Sequence, residues 1–140
     1  MSQENVAIVR RIYNEVSAGQ WKAQPELFDP EYEVDLTDAG PDLGVIRGIE
    51  ATETALRGYT ESFETFRIEL LEVIHADDDY VVTAVRDGGR LRGSDSDVWN
   101  HFFHVWTFRG GRIRRRSSYR DQKQALEAAG LSEQDAHADS

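Results

Sequence analysis

The second half of the chain is its strongest structural constraint. Four stretches, 66–76, 80–86, 98–108 and 112–119, are rich in β-branched and aromatic residues. Turn signals separate them: Asp77-Asp78-Asp79, Asp87-Gly88-Gly89 and Gly110-Gly111. That succession predicts an antiparallel meander. The first half reads differently. Residues 5–18 place Val6, Val9, Ile12, Tyr13 and Val16 at helical spacing, with Gly19 as a stop. A short second helix is expected over 22–28, ending at Asp29-Pro30. Residues 31–37 alternate, Tyr32, Val34 and Leu36 against Glu31, Glu33 and Asp35, which predicts a strand with one wet face. Three Gly and a Pro make 38–48 a loop. A third helix over 49–63 carries Ala55, Leu56, Tyr59 and Phe63 on its apolar stripe, and 122–129 forms a closing helix before Gly130. Helices followed by a meander mean an α+β fold. Strands this long must bend. A curved antiparallel sheet wrapped around N-terminal helices leaves a pocket on its concave side. One domain is expected over 1–131, with a disordered tail over 132–140.

Composition narrows the chemistry. Cysteine is absent from the 140 residues, which excludes disulfides, thiolate-held zinc or iron–sulfur clusters, and a thiol nucleophile. The formal net charge of -10 repels nucleic acid and anionic membrane. One strip runs against that trend: Arg109, Arg112, Arg114, Arg115, Arg116 and Arg120 lie in an acid-free run. No apolar run approaches the roughly 18 residues of a membrane span. The N-terminus lacks a signal-peptide pattern, so a cytoplasmic protein is expected. Dinucleotide, P-loop and serine-hydrolase motifs are missing. No cofactor is expected.

The candidate residues follow from strand alternation. An inward His104 brings Asn100, Phe102, Trp106 and Phe108 to the same face. Histidine titrates near neutrality, so a pocket His can take and return a proton. The alternative is a buried neutral His bonded to a backbone or Tyr group. His101 is offset by three and falls on the opposite face. No ligand spacing links these histidines, so no metal is expected. His75 is more simply structural, and His137 belongs to the tail. Tyr13 and Tyr59 could donate to a ligand carbonyl, or be core aromatics with satisfied hydroxyls. Arg114, Arg116 and Ser118 share one face of the last strand. An inward Arg116 needs an anion: a ligand carboxylate, an enolate, or a protein acid such as Asp38. Arginines 114 and 115 are expected to pair with acids across strands or across a dimer. Asp38 could act as a base at the pocket mouth, or simply hold the turn that follows the first strand.

The layout and local wording resemble the SnoaL-like branch of the nuclear transport factor 2-like superfamily. The carrying segments are SAGQW, ELFDPEYEV, GVIRGIEATETAL, HVWTFRGGRI and YRDQKQALEAAGL, in order, over residues 4 to 131. The resemblance implies a cone-shaped α+β barrel with an internal pocket and a homodimer. Members of that superfamily include ketosteroid isomerases, polyketide cyclases, scytalone dehydratase and limonene epoxide hydrolase. Set against the ketosteroid isomerases, their first essential acid falls on Leu36 and their second on His104. Their first-helix tyrosine falls on Ile12, beside Tyr13. The catalytic acid of the SnoaL-type cyclases falls on Ser118. The expected activity is cofactor-independent proton transfer on a small apolar carbonyl compound or polyketide. His104, Tyr13, Arg116 and Asp38 are the catalytic candidates; Tyr59, Asn100, Phe102, Trp106, Leu36 and Ser118 are expected to hold the ligand. The competing expectation is a non-catalytic ligand-binding or dimerisation module. The departures at Leu36 and Ser118 favour it. Phe103, Val105 and Thr107, facing outward, would supply the dimer patch.

Overall fold

The computed structural model describes residues 2–20, 22 and 24–136. Helix α1 (Ser2–Ser17) buries Val9, Ile12 and Tyr13, the expected stripe. The helix expected over 22–28 is only a 3-10 turn, Pro25–Leu27, and strand β1 begins at once (Phe28–Asp35). Two prolines explain the difference. A residue before proline favours extended backbone, so Gln24 and Asp29 bracket a stretch too short for an α-helix. Strand β2 (Val45–Arg47) pairs antiparallel with β1 inside the expected loop. Helix α2 (Ile49–Thr60) follows, then β3 (Phe63–Ala76), β4 (Tyr80–Leu91), β5 (Asp97–Arg109), β6 (Arg112–Tyr119) and helix α3 (Gln122–Ala128).

The strands form one curved, unclosed sheet in the order β2-β1-β6-β5-β4-β3. The β3–β4–β5–β6 meander is antiparallel as expected. The sheet as a whole is mixed, because β6 returns to lie parallel to β1. Its concave face holds the main core with α1: Val9, Ile12, Tyr13, Tyr32, Val34, Val81, Val85 and Trp106. Helix α3 covers part of the opposite face. Ala125, Leu126 and Ala129 pack there with Ile74, Val82 and Val105. Val105 does face outward, but it lies under α3 and is 2% exposed, so it is no part of a free dimer patch. The tail expected to be disordered opens with a capped 3-10 turn, Glu133–Asp135. The Asp135 carbonyl lies 3.4 Å from His75 Nδ1. Trp21, His137 and the last residues of the tail lie outside the described residues.

Gly88 and Gly89, expected in a turn, stand inside β4; the turn comes later, at Gly93. Their φ angles are 145° and 136°. A Cβ on Gly88 would sit 1.9 Å from the Val98 carbonyl oxygen, and one on Gly89 1.8 Å from that of Thr65. The glycines let three backbones approach closely. The outermost long strand, β3, has three register shifts. It is also tied to α1: the Ser17 hydroxyl donates to the Ile68 carbonyl and accepts from the Ile68 N–H, both at 2.9 Å.

Candidate functional site

The concave face encloses a cavity of about 230 Å³ between the sheet, α1 and α2. Drug-sized ligand sites run to roughly 300–1,000 Å³, so this one suits a smaller compound. Its wall is mostly apolar, from Ile12, Phe28, Val34, Leu36, Leu56 and Phe102 among others. The polar side chains that reach it are Tyr13, Tyr32, Thr52, Tyr59, Asp87, His104, Arg116 and Ser118.

His104 sits mid-β5, 2% exposed, with Phe102 and Trp106 beside it on the cavity wall. Its Nδ1 lies 2.8 Å from the Tyr13 hydroxyl. The same hydroxyl accepts from Trp106 Nε1 at 2.8 Å and lies 2.9 Å from Thr83 Oγ1. Counting protons assigns the directions. Trp106 Nε1 can only donate. Among the described residues Tyr13 is the only hydrogen-bond partner of the Thr83 hydroxyl. Within this network every proton finds an acceptor when Trp106 and Thr83 donate to Tyr13 and Tyr13 donates to His104 Nδ1, whereas the opposite tautomer would strand the Thr83 proton in a fully buried position. His104 then carries its proton on Nε2, which has no partner among the described residues. Burial, with help from the Arg116 charge, holds the His104 pKa well below its ordinary value. The ring is therefore neutral at pH 7 and presents an N–H donor to the cavity. Burial pushes the Tyr13 hydroxyl up to about 12. Tyr13 lines the cavity, but its hydroxyl serves this network and is not a spare donor for a ligand.

Asp87 is the acid that sequence reading missed. It precedes the glycine pair in β4 and is 7% exposed at the cavity wall. Tyr59 on α2 donates to Asp87 Oδ1 at 2.7 Å. Burial raises the Asp87 pKa against the opposing pull of that hydrogen bond and of Arg116. Taking Asp87 as part of a turn concealed its role. The signal was available: continuing the alternation Val81, Thr83, Val85 by one step turns Asp87 inward. Tyr59 lines the cavity as expected. Asn100 does not; its Nδ2 donates 3.3 Å to the Tyr59 hydroxyl and so steadies Tyr59 from behind.

Leu36 and Ser118 both line the cavity. Neither is a carboxylate, and Asp35 points the other way, against Arg115. Asp38 is exposed in the turn after β1 and is not on the cavity wall, so the expected base at the mouth is not there. The turn instead directs Ala39 inward, 3% exposed.

The arginine strip divides. Arg109 makes a two-pronged contact with Asp29, at 3.0 and 2.9 Å. Arg114 donates to the Glu31 carbonyl at 2.7 Å, and Arg115 pairs with Asp35 and Glu33 across the sheet. Arg116 alone of the strip's strand residues faces the cavity with no ion pair and no hydrogen bond among the described residues. Among those residues no cluster of three or more His, Asp or Glu side chains could hold a metal ion. Nor is any described helix long and apolar enough to cross a membrane.

A family model for the SnoaL-like domain matches residues 9–116. The chain belongs to the SnoaL-like domain family. Solved structures agree on the fold. Bal32a, from a soil-derived mobile gene cassette, superposes with a TM-score of 0.71 at 24% identity, covering 84% of this chain and 89% of that one. A candidate SnoaL-like polyketide cyclase from Jannaschia sp. CCS1 gives 0.67 at 20% identity, over 92% and 90%. An epoxide hydrolase of the LEH-like type from M. tuberculosis gives 0.65 at 21%, over 86% and 84%. No curated protein matches the chain.

Proposed function

We propose that this SnoaL-like protein is a cofactor-independent enzyme that moves a proton on a small, largely apolar carbonyl compound. The observation that carries the reading is Asp87: a buried carboxylate of raised pKa on the wall of an apolar cavity, oriented by Tyr59. A carboxylate desolvated in this way is a stronger base than one in water. Asp87 takes a proton from the carbon next to the carbonyl. The bonding pair of that C–H becomes the enolate, and its negative charge gathers on the carbonyl oxygen. The His104 Nε2–H meets that charge directly and the Arg116 guanidinium adds its positive field, both in place before the reaction begins. Returning the proton to another carbon gives isomerisation. Attack of the enolate on a second carbonyl gives aldol cyclisation, and expulsion of a β-hydroxyl gives dehydration. Because the Tyr13 hydroxyl is committed to its network, Tyr13 sets the His104 tautomer and does not touch substrate. The proposal includes a cytoplasmic homodimer.

A second reading is a binding module without chemistry, favoured by Leu36 and Ser118 where the superfamily has acids. One experiment separates the two. Proton-to-deuterium exchange next to the carbonyl of cyclohexanone is followed by NMR in D2O. The wild type should speed exchange, and Asp87→Asn should lose roughly 100-fold or more of that acceleration. Wild-type protein that binds the ketone but exchanges it no faster than Asp87→Asn refutes the enzyme and leaves the module.

A further inference from the structure

Arg116 poses a charge problem that the chain does not solve. It enters the cavity from β6, opposite Val34 of β1 and Trp106 of β5 in the sheet register. Its Nε is sealed from solvent without a hydrogen-bond partner. No described carboxylate lies within ion-pair distance of it, although Arg109, Arg114 and Arg115 all have one. The nearest aid is the face of Trp106, with the guanidinium carbon 6.0 Å from the ring centroid. A half-buried cation so poorly compensated is expensive unless an anion completes it. Its field reaches the centre of the cavity, since Tyr13, Tyr32, Asp87 and His104 all feel it. Arg120 adds a second positive charge near Asp87 and stacks over Phe102, a cavity residue, 4.4 Å from its centroid.

We propose that the cavity's natural ligand carries a carboxylate, held by Arg116, on an otherwise apolar body. This deepens the reading above and rests on the same cavity: the substrate class becomes a small apolar oxo acid. The neighbouring donors fit that end group. Ser118 carries a hydroxyl on the same cavity wall, next but one to Arg116 along the strand. The planar guanidinium matches a carboxylate with two parallel N–H donors. The protein's overall charge of -10 does not forbid this, because exposed charges are screened beyond about 8–10 Å at ordinary salt, whereas Arg116 would meet the ligand in contact.

The test compares cyclohexanecarboxylate with its neutral isostere cyclohexanecarboxamide by titration calorimetry at pH 7. Wild-type protein should prefer the carboxylate by about 10-fold or more. Arg116→Gln should lose that preference while still binding the carboxamide. Folding is not the weak point of this variant, since it removes an uncompensated cation; thermal melting checks it. Equal or tighter binding of the carboxamide to wild type overturns the proposal, as does a preference that survives Arg116→Gln or failure of both compounds to bind. The ratio between the two ligands separates an anion site from general damage to the cavity. It also stands apart from catalysis. Exchange on cyclohexanone can fail while the carboxylate preference holds, and the preference can fail while exchange persists.

Discussion

Replacing Tyr13 by Phe removes one oxygen and undoes three hydrogen bonds at once. The Trp106 Nε1–H and the Thr83 hydroxyl lose their acceptor, and His104 Nδ1 loses its donor. Tyr13 is 3% exposed and Thr83 is fully buried, so bulk water does not replace the lost partner. A buried donor left unsatisfied costs about 1–3 kcal/mol. Two stranded donors at the lower part of that range give a loss of about 3 kcal/mol, a large share of the roughly 5–15 kcal/mol that holds a domain together. For a chain of this size that is a fall in Tm of roughly 10 °C. Urea unfolding followed by tryptophan fluorescence measures it. A double-mutant cycle sharpens the result. Adding Trp106→Phe to Tyr13→Phe removes one stranded donor, so the pair should cost less than the sum of the singles, by about 1 kcal/mol. The histidine tautomer provides a second readout: 15N NMR should find the proton on Nε2 in wild type and lose that strict preference in Tyr13→Phe. A loss below about 1 kcal/mol with no coupling, or a wild-type proton on Nδ1, refutes the proton count.

The depressed His104 pKa makes stability depend on pH with a definite sign. Below its ordinary value of 6.5 the unfolded chain takes up a proton that the folded chain refuses, so stability falls as pH drops from 6.5 toward the lower folded pKa. The slope approaches about 1.4 kcal/mol per pH unit for this one group. Urea midpoints at pH 7.5 and 5.5 should diverge in wild type and draw together in His104→Gln; parallel behaviour of the two proteins counts against a buried neutral ring. Gly88→Ala should destabilise far more than Gly93→Ala. The first forces a Cβ onto the Val98 carbonyl, whereas the second has φ +76 and open space around it and should lose only about 1 kcal/mol. Similar melting temperatures for the two variants would show that the strands separate easily at that point.

The parts of the fold legible in sequence were those with strong local signals. The stripe of α1, the alternation of β5 and the Gly110-Gly111 hairpin all stand where their spacing puts them. His104, Phe102 and Trp106 reach the cavity together because alternation along one strand needs no tertiary information. The failures came where a local signal has two meanings. An Asp-Gly-Gly run suits a hairpin, but it also suits a strand whose neighbours press against its backbone, and only the sheet decides between them. That ambiguity hid Asp87. The parallel pairing of β1 with β6 joins residues about 80 positions apart, such as Val34 and Arg116, and no local pattern announces it. Asp38 is the converse case: an acid at a plausible place in sequence, turned to solvent by the geometry of one tight turn.

The outer strand β3 bears on how copies of the protein behave at high concentration. A 14-residue edge is a template on which another strand can add, and exposed Leu71 would reward such addition. Here the template is spoiled in two ways. Three register shifts break the even ladder, and the Ser17 hydroxyl occupies both backbone groups of Ile68 near the middle of the strand. An incoming strand would find neither a straight row of free groups nor a regular pleat. Strand addition is thus opposed along this edge, and the serine at the end of the first helix is one of the groups that opposes it.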